Sequence, residues 1–239
     1  MPLHNSLAVT AKKAQPMRTQ TTFVRFSVLV PILLIMASAP PRALRANECY
    51  YMIVFSAQTG SNEPRLSHTF ATFVKATGTG DSAKDCRAES HTISWMPTSL
   101  NIVVLRARPE PGTNLDLASS LRWAESVNCR VSMWGPYQID KELYDRAIKQ
   151  EAHLRSGRVL YKAIDARFRP RIASNCIHSV SDLDTDNGIL HAGQGRGDAA
   201  THKVVQHLRR WIIAPGQTHP WVALRLRLND HPVVRRDLD

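Results

Sequence analysis

Residues 67–76 read Ser67-His68-Thr69-Phe70-Ala71-Thr72-Phe73-Val74-Lys75-Ala76, SHTFATFVKA. The run is rich in β-branched and aromatic residues, and in an extended chain His68, Phe70, Thr72 and Val74 share one face. We expect a strand here. Working outward, residues 50–57, 90–96 and 101–108 carry the same period of two. The segments between them, 58–64 and 77–81 (TGTGD), are made of turn-forming residues. Connections this short suit an antiparallel meander, because parallel neighbours need long crossovers.

Beyond a break at 109–113 the apolar period lengthens towards that of helices. Helices are expected over 117–127 and over 140–155, the second opening beside Asp140 and ending at Gly157. Residues 159–164 (VLYKAI) read as a further strand, 167–171 as an arginine-rich loop, and 134–137 (WGPY) as a packed turn. In 174–183, Cys176, Ile177, Val180 and Leu183 fall at helical spacing. A last helix over 198–213 places Val204, Val205, Leu208, Trp211 and Ile212 on one stripe. The expected fold is α+β, an antiparallel sheet of about four to six strands packed against helices. One domain is expected over 47–214, with 215–239 as a C-terminal tail.

The N-terminal 46 residues differ in composition. An uncharged apolar run, 26–37 (FSVLVPILLIMA), follows Lys12, Lys13, Arg18 and Arg25 and precedes small residues and prolines, the order of a removable signal peptide. It is interrupted by Pro31 and is shorter than the roughly twenty residues of a membrane-spanning helix. No permanent membrane span is therefore expected, and the protein is expected to be secreted or periplasmic. This leader holds six of the 31 basic residues and no acidic one, which leaves 25 basic against 20 acidic residues in the remainder. So small an excess, spread along the chain without interleaved aromatics, argues against a nucleic-acid partner.

Chemistry concentrates in Ser174-Asn175-Cys176-Ile177-His178 (SNCIH). If Ser174 or Asn175 caps a helix, Cys176 lies in its first turn, where unpaired N–H groups favour a thiolate and an oxyanion. His178, two residues on, would point elsewhere on a helix. His68 and His91, each at alternate spacing among apolar residues (Phe70 and Val74; Ile93 and Trp95), are better placed to serve as base and orienter. Glu89, just outside the strand expected over 90–96, is the poorer orienter. Cys49, Cys86, Cys129 and Cys176 form no CxxC pair, so zinc-finger spacing is absent. They could form two disulfides, or one with two thiols remaining.

The order of LSHTFATFV, ESHTISW and SNCIHSVSDL resembles the circularly permuted papain-like group, which includes permuted NlpC-type amidases and lecithin retinol acyltransferase-like enzymes. The resemblance spans residues 50–185 and rests on order and context. It implies a cysteine-dependent hydrolase or acyl transferase acting on an amide or ester. Cys176 would be the nucleophile, His68 the base, His91 the orienter and Asn175 the cap beside an oxyanion site. It implies no cofactor or metal, and a peptide, peptidoglycan-like or lipid acyl substrate. The competing expectation is a non-enzymatic extracellular domain in which Cys176 is a core residue or half of a disulfide.

Two further motifs are weaker. Asp182, Asp184 and Asp186 alternate like the opening of a calcium loop, but Asn187 and Gly193 stand where that loop needs Gly and Glu, so a solvated acidic turn is expected. The glycines of 193–197 (GQGRG) have neither a leading strand nor a following GK[ST], and His191, His202 and His207 lack the spacing of a zinc-protease helix.

Overall fold

A computed structural model of the chain describes residues 47–78, 86–166, 172–191 and 195–239. The expected leader and the arginine-rich loop at 167–171 lie outside the described residues.

The fold is α+β, with two mixed sheets. Strands β1 (Asn47–Gln58), β2 (His68–Gly78) and β3 (Arg87–Ile93) form the expected antiparallel meander. Every residue from Tyr50 to Ala57 is buried, because β1 is central and covered on both faces.

A short strand, β4 (Trp95–Pro97), continues β3 into a second sheet and pairs with β5 (Glu110–Asn114), where a break was expected. Helix α1 (Leu117–Ser126) follows, its first turn capped by the Asp116 carboxylate on the Ser119 N–H.

The strand β6 (Arg130–Ile139) then returns to pair with β1. The sequence reading took its centre, Trp134-Gly135-Pro136-Tyr137, for a turn. The four residues instead lie inside the strand: Met52 pairs with Tyr137 and Val54 with Trp134, so β6 carries one extra residue, a bulge that accommodates a proline without an N–H. Gly135 is required there, since its φ is +94° and a Cβ would lie 2.7 Å from the Met52 carbonyl.

Helix α2 (Lys141–Arg155), the short strands β7 (Leu160–Tyr161) and β8 (Ala173–Ser174), helix α3 (Cys176–Ser181) and helix α4 (Gly197–His207) follow. The first sheet has the order β3-β2-β1-β6 and ends in β9 (Val233–Arg236), parallel to β6; the second has the order β4-β5-β7-β8, with β7 and β8 parallel. The sheets are thus mixed and not purely antiparallel. Residues 215–239 are no tail, since they form helix α5 (Pro220–Arg225) and the edge strand β9.

Residues 101–108 do not form the expected strand. Val103, Val104 and Leu105 follow one another, so a strand would need cover on both faces, and no neighbouring strand is offered; Leu105 is 86% exposed. Helices α2, α3 and α4 cover one face of the large sheet, as the Tyr50–Tyr144 and Trp134–His202 ring contacts and the Thr69–Thr201 hydroxyl pair show. Helices α1 and α5 cover the other, through Trp123 against His68 and Trp221 against Tyr51. Among the described residues no helix is long and apolar enough to cross a membrane.

A Cβ on Gly112 would stand 2.1 Å from Cζ2 of the buried Trp95. Gly112→Ala should therefore destabilise the fold by about 3 kcal/mol in chemical denaturation, whereas Gly60→Ala, with nothing within 4 Å, should stay within about 0.5 kcal/mol of the parent.

Candidate functional site

The chain leaves β8 through Asn175, whose side-chain Oδ1 accepts the His178 N–H at 2.8 Å and caps α3. Cys176 is therefore the first helical residue. A buried carboxylate fixes this turn from below. Asp165 accepts the Asn175 N–H at 3.1 Å, the Asn175 Nδ2–H at 3.3 Å and the His178 Nδ1–H at 2.7 Å. His178 Nε2 reaches the Leu190 carbonyl at 3.0 Å. Both ring nitrogens are thus engaged away from Cys176, and His178 is not placed to serve it as a base.

The Cys176 sulfur meets the backbone N–H groups of Thr69, Cys176 and Ile177. They favour the thiolate, but burial is the larger effect and pushes the thiol up to about 11. At neutral pH Cys176 is a protonated thiol that needs a base.

His68 opens β2, next to the Thr69 N–H that reaches the sulfur. Its Nε2 lies 2.8 Å from Ser94 Oγ, which in turn lies 2.8 Å from Ser120 Oγ. Asn114 holds Ser94 in place: its Oδ1 accepts the Ser94 N–H at 2.8 Å and its Nδ2 donates to the Thr92 carbonyl at 2.7 Å. The ring stacks on Phe70 and meets Trp123 edge-on, each at 5.5 Å between centroids. Its Nδ1 is buried and has no hydrogen-bond partner. Burial pushes the imidazole down to about 3, so the ring is neutral. No hydrogen bond joins it to Cys176, whose helix α3 covers the opposite face of the large sheet, although both residues line one cleft of about 540 Å³, walled also by Asp165, His178, Ile102 and Leu190.

One expected site residue, His91, is elsewhere. His91 pairs with Phe73 across β2 and β3, so its side chain leaves the sheet on the face opposite His68. There Nδ1 is 2.8 Å from Glu151 Oε2, and the ring meets Tyr144 of α2. His91 therefore cannot orient His68; Ser94, three residues on, holds the ring instead. Glu89 shares the face of His91, at 3.3 Å from its Nε2. Asn175 caps the helix, but its N–H and its amide nitrogen are both engaged by Asp165, and the amide also by the Ala163 carbonyl, so it offers no side-chain donor to an oxyanion.

Sequence reasoning also missed Asp165. An aspartate just after a strand carries no local signal of the cap it will support ten residues later.

All four cysteines are thiols, so Cys176 is not half of a cystine. The acidic turn is a short 3-10 helix, Asp182–Asn187, held by arginines. Asp184 pairs with Arg210, and Asp186 with Arg146 at 2.8 Å. The two guanidiniums lie 4.8 and 5.0 Å from the Trp211 ring. The carboxylates there are thus partnered within the protein, and among the described residues no three His, Cys, Asp or Glu side chains converge as a metal site requires.

The chain matches no protein-family model, no curated protein and no solved structure. What it does must be argued from its own geometry.

The neutral state of His68 makes stability depend on pH. The unfolded imidazole binds a proton below its ordinary 6.5, the folded one only near 3. This contribution is complete above 6.5 and is lost as pH falls through that window. His68→Gln should therefore lower Tm at about pH 8, with the gap to the parent narrowing as pH approaches about 4. Parallel Tm–pH curves would contradict the assignment.

Proposed function

We propose that this domain is a cysteine-dependent hydrolase or acyl transferase of permuted papain-like type, acting on amide or ester bonds in an exported protein. The observation that carries the reading is that His68, whose buried, neutral imidazole has Nε2 at Ser94 and Nδ1 unpartnered, is a lining residue of the same cleft as the helix-start Cys176.

In the tautomer whose Nε2–H donates to Ser94, the Nδ1 lone pair is available to a proton. Catalytic hydrogen bonds commonly tighten only when substrate is bound. The Cys176 S–H proton then passes to Nδ1 as the sulfur attacks the acyl carbonyl. The C–N or C–O bond breaks, and His68 returns the proton to the leaving amine or alcohol. The thioester left on Cys176 is resolved by water in hydrolysis, or by a second nucleophile in transfer.

A second reading also has an observation in its favour. A thiol raised to about 11, beside a histidine that does not contact it, is what a buried core cysteine of a binding domain looks like.

Mass spectrometry after incubation with a panel of activated esters and thioesters separates the two. The enzyme reading predicts an acyl adduct on Cys176 and turnover. Turnover should be abolished by Cys176→Ala, fall about a hundredfold or more in His68→Ala, and be unchanged in His91→Ala. Absence of any Cys176 adduct, or one formed equally fast in His68→Ala, favours the core-cysteine reading.

A further inference from the structure

Nine large apolar side chains are exposed among the described residues, and six of them lie in or beside segments that wall the cleft. Leu100, Val103 and Leu105 flank the wall residues Ile102 and Val104. Ile164 is itself a wall residue, Ile172 precedes the strand β8 that leads to the wall residue Asn175, and Ile189 adjoins the wall residue Leu190. Ordinary surfaces carry such residues singly, whereas a concentration around one opening marks an interaction site.

The charges of the same segments have one predominant sign. Arg106, Arg108 and Arg196 are exposed. Asp165 is 2% exposed and turned inward to Asn175 and His178, and Glu110 and Arg106 offset each other in a 2.8 Å ion pair, so Arg108 and Arg196 are the arginines offered to a partner. Aliphatic side chains on separate irregular segments, with guanidiniums beside them, suit a surface that is apolar beneath and anionic above.

We propose that the rim of the cleft docks on an anionic lipid bilayer. Leu105 and Ile189 enter the headgroup–acyl boundary, and the arginines meet lipid phosphates. The cleft mouth then opens onto the membrane surface. This docking is independent of the chemistry at Cys176.

Flotation of the full chain with vesicles tests it. The protein should bind phosphatidylcholine vesicles containing about 30% phosphatidylglycerol and bind pure phosphatidylcholine much less. Binding should weaken on raising salt from about 0.05 to 0.5 M. The Leu105→Asp, Ile189→Asp double variant should lose about tenfold or more in vesicle partition at an unchanged Tm. Cys176→Ala should bind like the parent, so failure of docking and failure of the hydrolase reading are separable. Absence of binding to the anionic vesicles, or binding that survives the double variant and so belongs to another part of the chain, overturns the proposal.

Discussion

A buried carboxylate must find donors, and Asp165 finds three in one short segment: the Asn175 N–H, the Asn175 amide and the His178 ring. That requirement fixes where α3 begins. With Asn175 anchored below and its Oδ1 engaged with the His178 N–H above, Cys176 lies against the start of β2, at the Thr69 N–H. A buried charge held this way is costly to leave half-satisfied, so the cap, the cysteine and the cleft wall form a single arrangement.

The second constraint is strand register. Pairing of Thr72 with Thr92 places the even residues of β2 beside the even residues of β3, and this separates His68 from His91. A slip of one residue would exchange the faces. In the observed register His68 meets Ser94, pinned by Asn114, within the aromatic packing of Phe70 and Trp123. That packing excludes water from the ring and keeps it neutral. The same burial that raises the thiol lowers the imidazole, so the resting pair is uncharged on both sides.

Much of the large sheet was legible because β1 and β2 are dense in β-branched and aromatic residues, and α1 and α2 have clear periods and endings. The strand β6 was not, since Gly135 and Pro136 are turn residues everywhere except at a bulge opposite a partner such as β1, which sequence does not reveal. The edge strand β9 was hidden for a different reason: four residues, two of them arginine, read as a solvated end until a parallel neighbour supplies their hydrogen bonds. At the site, the helix-start position of Cys176 followed from local capping chemistry. The orienting role of Ser94 depended on register, and the anchoring role of Asp165 on a loop's path, neither of which is encoded within a few residues.

The claim on which the account rests is that the His68 Nδ1 lone pair is available to the Cys176 proton. Long-range 1H–15N spectra of the imidazole test it directly. The account predicts a neutral ring protonated at Nε2 over about pH 5 to 8, with an Nδ1 resonance that shifts in Cys176→Ala. A ring protonated at Nδ1, with a resonance indifferent to Cys176, would contradict it.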